Sequence, residues 1–290
     1  MPEAKTATRS NDVLTILHQY SRENQAVDWK RTRAAVRALK TFFAGRLVYE
    51  IDIPLCREYS AFRIAAGVAL STVARELTTL RAACNHALKW KRISELHKPT
   101  FEIPSDLPKR EVWLFKDELK ILLNAADPIM EQFIRITYGT ASRRRAVECL
   151  EWYQCDFNRR TIALDKRDAR KTNKRRPTVP MGNLYPMLKD MYDQRKNNFV
   201  LGSDEDRLAA FTALCASEQL LEVAERDGRP AGRITPHILR HSRATHLLED
   251  GVTIYAVAKL LGDNPTTVQK TYGHISMGSL EDELAKSGAI

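Results

Sequence analysis

Apolar positions in the first ninety residues recur at helical spacing. Between Asn11 and Asn24, Val13, Leu14, Ile16, Leu17 and Tyr20 fall on one side, which predicts a first helix. A second runs from Trp29 to Phe43 and stops at Gly45, a residue suited to the turn after a helix end. Pro54 to Ala66 reads as a third helix, and Ser71 as the N-cap of a fourth. In that fourth helix Val73, Leu77, Leu80, Cys84 and Leu88 form a core stripe, with Arg75, Arg81 and Lys89 off it, either gripping phosphates or simply solvated. The period is lost over residues 93–112, which hold Pro99, Pro104 and Pro108 and read as a linker. A domain boundary is expected near residue 105.

Beyond the linker the pattern predicts helices at roughly 115–126, 128–138 and 142–151. Three short strand-like pieces follow, at Cys155–Phe157, Thr161–Leu164 and Pro177–Pro180, with a very basic turn between the last two. The remainder reads as helical. Thr235-Pro236 and Asn264-Pro265 each place a capping side chain before a proline at the first helical position, and Gly251 and Gly262 read as helix stops. Tyr255, among apolar neighbours, reads as core. The expected fold is mainly α with a small antiparallel β-sheet, divided into a helical domain over 1–105 and a second domain over 106–290.

Composition narrows the class. The 290 residues are 43% hydrophobic and 28% charged, which excludes a largely disordered chain. No apolar run has the length of a membrane span, and the polar N-terminus shows no secretory h-region. The five cysteines are scattered with no C-x-x-C pair, so they read as ordinary buried thiols in a reducing, cytoplasmic compartment. The formal net charge is +10, and the first hundred residues hold 17 basic and 9 acidic side chains. A positive field concentrated there attracts polyanions. A basic protein with no nucleic-acid role has the same charge.

The chemistry concentrates further along. His237 and Arg240 stand one helical turn apart at the start of a predicted helix, where free backbone N–H groups and the helix dipole favour an anion. Alone, this equally describes a surface helix with a capping histidine. It continues, however, through Leu260-Leu261-Gly262-Asp263 and Thr266-Thr267 to Tyr272-Gly273-His274. The run resembles the C-terminal signature of the tyrosine recombinase (phage integrase) family: His-x-x-Arg, then Leu-Gly-His or Leu-Gly-Trp, then a nucleophilic tyrosine nine residues later. Asp263 stands at the His/Trp position here, and Tyr272 has the matching spacing. An upstream box, Thr140-Ala141-Ser142-Arg143-Arg144-Arg145-Ala146 followed by Leu150 and Trp152, resembles the family's Thr-Gly-x-Arg-x-x-Glu with Leu and Trp after it. Its spacing to Trp152 selects Arg143, with Arg144 and Arg145 adjacent. Lys171-Thr172 and Val179-Pro180 resemble the family's Lys-Thr…Val-Pro element, in a segment, Arg143 to Arg176, of 12 basic and 5 acidic residues. Lys174 is the alternative lysine. The resemblance covers about 110 to 280, and the preceding helices look like the family's core-binding domain.

The resemblance implies DNA strand exchange by transesterification, without metal or nucleotide cofactor, because a phosphotyrosyl link conserves the phosphodiester energy. Tyr272 would attack a backbone phosphate, Arg143 and Arg240 would hold its non-bridging oxygens, His237 would handle the phenol proton, and Lys171 would protonate the leaving 5′-oxygen. His241 and His246 read as structural. Two departures stand out: Ala146 replaces the acidic residue, and Asp263 replaces the second histidine or tryptophan. Glu148 is on another face and is not expected to substitute for the residue lost at 146. The implied partners are a double-stranded DNA recombination site, a homotetramer on two paired sites and an accessory DNA-bending protein, with no membrane. The short stretch before the first helix leaves no room for an arm-binding domain. The tail 275–290, with Leu280 and Leu284 one turn apart, is expected to link neighbouring protomers. Three other readings remain open at this point: a DNA-binding relative that has lost the chemistry, a type IB topoisomerase-like enzyme, and a helix-turn-helix regulator.

Overall fold

The structure, a computed structural model, describes residues 11–24, 29–105, 112–165, 177–227, 229 and 231–273. The chain divides into two compact units, Met1–Pro108 and Lys109–Ile290.

The first unit is built from α1 (Val13–Glu23), α2 (Trp29–Phe43), α3 (Ile53–Ala65) and α4 (Leu70–Lys89). Asp12 caps α1 and Asp52 caps α3, each accepting a backbone N–H from the first turn. Leu17, Leu39, Phe43, Leu77 and Leu80 are fully buried and make the core. Burial of a side chain of this size contributes about 1.5–3 kcal/mol. The α4 stripe packs inward as its spacing predicts, with Leu88 only partly covered. Helix α4 begins earlier than expected: Ala69 is its N-cap, so Ser71 is helical and does not cap. Apolar periodicity cannot show that Glu76 is also buried. It accepts the Tyr59 hydroxyl at 2.7 Å and both arms of Arg63 at 2.9 and 3.0 Å. Arg75, Arg81 and Lys89 are exposed.

The second unit contains α5 (Lys116–Ala125), α6 (Pro128–Gly139) and α7 (Arg144–Glu148). Strands β1 (Cys155–Asp156), β2 (Thr161–Ala163) and β3 (Thr178–Pro180) form an antiparallel sheet in that order, with Cys155 opposite Ile162 and Ile162 opposite Val179. Ile162 and Val179 face the core, and their neighbours along each strand face out. Helices α8 (Tyr185–Asp193) and α9 (Leu208–Ser217) follow. A hairpin of β4 (Glu222–Val223) and β5 (Gly232–Arg233) interrupts the stretch expected to be helical, since two-residue strands are too short to show alternation. The unit ends in α10 (His237–Glu249), α11 (Ile254–Leu261) and α12 (Pro265–Tyr272).

Helix α10 runs through the middle of this unit and is covered on most sides. Its Ser242 hydroxyl accepts the N–H of Leu114 at 2.8 Å and donates to Ile238 O at 2.8 Å. Pro236, not Thr235, occupies its cap position. Tyr255 is 77% exposed at the first turn of α11, against the core placement expected from its neighbours; the buried stripe is Val257, Ala258 and Leu261. Four of the five cysteines are buried and Cys149 is partly so. Among the described residues no helix is long and apolar enough to cross a membrane.

Candidate active site

Three chain segments converge where α10 begins. The first is the turn after α6. Ala141 has φ +50°, a left-handed conformation costly for any residue with a Cβ, at the place where the resembled box carries glycine. Its N–H bonds Tyr138 O at 3.0 Å and that of Ser142 bonds Thr137 O at 3.1 Å, so the turn is held on both sides. Arg143 follows at the N-cap of α7, in extended conformation.

The second is the turn that closes α11. Gly262, at φ +66°, ends that helix and leaves the Leu261 carbonyl unspent by helix bonding. Arg240, only 4% exposed, fills the space beneath it. Its Nη1 donates to Ala141 O at 2.8 Å and Leu261 O at 3.0 Å, and its Nη2 donates to Leu261 O at 3.0 Å and Asp263 Oδ2 at 2.5 Å. Only Nε–H remains to offer. Burial works against the Arg240 charge and Asp263 supports it. The other Asp263 oxygen, Oδ1, accepts Arg143 Nη2 at 3.2 Å. One carboxylate therefore bridges both arginines, one oxygen to each.

The third is α12, capped by Asn264 with Pro265 at its first position, as the sequence predicts. Val268 anchors it against Ala244, Leu248, Val257 and Leu261, and Tyr272 sits in its last turn, 8% exposed. Burial pushes the Tyr272 phenol up to about 12; Arg240 pulls it down and Asp263 pushes it further up. Its Oη lies 2.5 Å from Nδ1 of His241. His241, read from the sequence as structural, therefore touches the hydroxyl. His237 stacks edge-on against His241, with ring centroids 4.7 Å apart, and is itself exposed at the rim. Desolvation of its inner edge, then His241, Arg240 and Arg143, hold the His237 imidazole down at about 4; solvent at the open edge works against that shift. His246, by contrast, is buried with Nδ1 2.8 Å from the Tyr138 hydroxyl, far along the helix from these groups.

The neighbouring basic residues are tied up elsewhere. Glu148, fully buried, binds Arg144 at 3.0 Å, Arg145 at 3.2 Å and the backbone N–H of Arg207 at 2.8 Å. It makes no such contact with Arg143. A cavity of about 110 Å³ is lined by Ala146, Arg143 and Arg240, among others. Lys171 and the alternative Lys174 lie outside the described residues, as does the tail from 274. A larger groove, about 920 Å³, opens elsewhere on the second unit between Leu119, Leu123, Tyr138, Leu184, Leu247 and Leu260.

A buried arginine and a half-buried one sharing one anion, a buried tyrosine hydroxyl and two neutral imidazoles together suit phosphoryl transfer to a tyrosine. Residues 112–278, more than half of the chain, match the model of the phage integrase family. The chain belongs to that family, whose members are the tyrosine recombinases. Over 282 residues it is 25% identical to the tyrosine recombinase XerC of Corynebacterium glutamicum, covering 89% of this chain and 86% of that protein. To XerC of Mycobacterium tuberculosis (strain CDC 1551 / Oshkosh) it is 27% identical over 267 residues, 84% of this chain and 87% of that one. The fold is shared with the Tn1549 transposon integrase bound to transposon right-end DNA, at TM-score 0.74 and 18% identity over 96% of this chain and all of that one. It is also shared with a lambda integrase dimer bound to a core site, at TM-score 0.67 and 14% identity over 93% of this chain and 81% of that one.

Proposed function

We propose that this enzyme, a DNA strand-cleaving and rejoining recombinase, works through a 3′-phosphotyrosyl link on Tyr272. The observation that carries the assignment is the convergence of Arg143 and Arg240 on the two oxygens of one carboxylate, with the Tyr272 hydroxyl within electrostatic reach of Arg240 and Asp263. Two non-bridging phosphate oxygens present the same geometry to the same donors. Guanidinium groups suit this task because they stay charged and offer a planar fork. They offset the charge that grows on the pentavalent phosphorus centre. Lys171 supplies the proton to the leaving 5′-oxygen, a role assigned from its Lys-Thr context. His237, at the rim, handles protons between the pocket and solvent.

The partner is double-stranded DNA carrying a specific site, gripped by residues 1–105 and 106–290 together. The basic excess of the first hundred residues supports this, as does a related fold solved as a lambda integrase tetramer on a Holliday junction. Four protomers on two paired sites, helped by a DNA-bending protein and acting in the cytoplasm, complete the reading.

The test is a covalent adduct. Duplexes selected from a random pool by binding to the Tyr272→Phe protein are nicked just beyond each candidate phosphate and run on SDS gels with wild type. An SDS-stable adduct absent from Tyr272→Phe is the expected result; specific binding with no adduct overturns it. A second reading, binding without chemistry, is favoured by one observation: Asp263 fills the arginine fork.

A further inference from the structure

We infer that His241 is the group that takes the proton from Tyr272 as the tyrosine attacks DNA, an inference that rests on the phosphotyrosyl reading above. Neither motif spacing nor the family box marks this residue. What marks it is contact. Its Nδ1 is 2.5 Å from the Tyr272 hydroxyl, whereas His237 reaches the tyrosine only through His241.

The direction of that hydrogen bond follows from the surroundings. Burial keeps the phenol protonated, so it has a proton to donate. Burial first, then Arg240, keeps the His241 imidazole neutral, so one ring nitrogen is free to accept. Nδ1 is the accepting nitrogen and Nε2 carries the ring proton, a tautomer assigned from this bond. Among the described residues, the charged or titratable groups that face His241 are His237 and Arg240 on α10, Asp263 before α12, and Tyr272 on α12. Asp263 is the anion that favours a protonated His241.

The position in the fold fits the task. His241 follows Arg240 directly on α10, most of whose residues are buried, so imidazole and guanidinium keep a set relation. Tyr272 comes from a separate helix and meets the imidazole. In the forward step the Oη–H proton passes to Nδ1, the Oη–P bond forms, and the P–O5′ bond breaks. The leaving oxygen takes its proton from Lys171. On rejoining, the 5′-hydroxyl gives its proton back to Lys171 as it attacks phosphorus, the P–Oη bond breaks, and His241 returns the proton to Oη. No other reactant is consumed.

Asparagine at 241 is the discriminating replacement, since its side-chain oxygen keeps a hydrogen-bond acceptor near the Nδ1 position but takes no proton at neutral pH. Single-turnover adduct formation is measured on the nicked duplexes for wild type, His241→Asn and His241→Ala, with gel shifts confirming that each variant is folded and binds. The rates of both variants are expected to fall by about 10²–10⁴-fold, the usual range for a lost proton acceptor. Their rates should then climb about tenfold per pH unit, because hydroxide must supply the phenolate, while wild type levels off above the histidine pKa. Added imidazole should partly restore His241→Ala, a rescue readable even if that variant is less stable. A His241→Asn protein with wild-type rate and pH profile overturns the assignment and leaves the phosphotyrosyl reading intact. Wild type that binds a full set of nicked sites and forms no adduct overturns both.

Discussion

Replacing Asp263 by asparagine separates the folding role of this carboxylate from its effect on DNA. In the structure it sits between the two arginines, one oxygen 3.2 Å from Arg143 and the other 2.5 Å from Arg240, which on the proposed reading is the place of a phosphate. A phosphate must break these bonds to enter, because Arg240 has already spent its remaining Nη protons on Ala141 and Leu261. At an effective dielectric of about 20, opposite unit charges ~4 Å apart attract by about 4 kcal/mol. Hydrogen bonds to charged groups net about 1.5–3 kcal/mol once desolvation is counted. With the Asp263 side chain 30% exposed, about 2 kcal/mol is a fair value for what the phosphate must displace. Asparagine is isosteric and keeps one acceptor but removes the charge. Adduct formation at subsaturating DNA should therefore rise by about 30-fold, since 1.36 kcal/mol is tenfold in rate.

The same change should weaken the free protein. Arg240 is buried and loses the anion that supports its charge, so about 2 kcal/mol of stability goes, or about 4–8 °C in Tm for a unit of this size. Added sulfate or inorganic phosphate should refill the fork. Melting by circular dichroism across anion concentrations should show Asp263→Asn gaining more than wild type, which already holds its own anion. The reasoning fails if Asp263→Asn forms adduct no faster than wild type and gains no more from anions. In that case Asp263 orients the arginines in the DNA complex as well as in the free state.

Other consequences are simpler to check. Glu148→Gln should cost about 1–3 kcal/mol in chemical denaturation, because it strips the buried counter-charge from the partly exposed Arg144 and Arg145 and weakens the acceptor of the Arg207 N–H. Ala141→Gly should be near neutral: relief of about 1–2 kcal/mol of left-handed strain is offset by the lost buried methyl, about 0.8 kcal/mol, and the extra freedom of unfolded glycine, up to about 1 kcal/mol. A change beyond about 1.5 kcal/mol either way in the same denaturation assay would show that one of those opposing effects is misjudged. His237, His241 and His246 all have pKa values lowered in the fold, so the unfolded chain binds more protons on the acid side. Their stabilisation is complete above the ordinary histidine value of 6.5 and is lost as pH falls toward about 4; His237→Gln should shrink the drop in Tm across that window. Deleting 278–290 should reduce synapsis in native gels more than half-site binding; unchanged synapsis would free the tail from that role.

Most helices were legible because each buries a stripe wide enough to show in the pattern, as the Val73–Cys84 stripe does. The small sheet was legible from Ile162 and Val179, while β4 and β5 were too short to alternate. Tyr255 misled because apolar neighbours say which helix is amphipathic but not which residue starts it. In the site, spacing singled out Arg143, His237, Arg240, Asp263 and Tyr272, which the fold brings close together around the start of α10. The count to Trp152 selected Arg143 over its neighbours Arg144 and Arg145, and their partners differ in the same way: Glu148 binds those two, while Arg143 shares Asp263 with Arg240. His241 was not legible in this way. A histidine between an arginine and a serine has no sequence mark until α12 brings Tyr272 against it.

The two departures from the family boxes then become one. Alanine at 146 removes a carboxylate and leaves a cavity of about 110 Å³ beside Arg143 and Arg240. Aspartate at 263 returns a carboxylate to the same two arginines from the segment between α11 and α12. Two guanidinium groups this close repel each other, so without DNA some anion must sit near them for the pocket to stay closed. A carboxylate on α7 could do that from the side and leave the phosphate position open. On the proposed reading, Asp263 does it from the phosphate position itself. Restoring the family arrangement with Ala146→Glu and Asp263→His together should keep the stability of wild type while opening the fork. Ala146→Glu alone should add a second anion to a site already holding one and slow the adduct. If the double variant is no faster than wild type in adduct formation, and no more stable than Asp263→His alone, the two positions are independent and the carboxylate has not simply changed position.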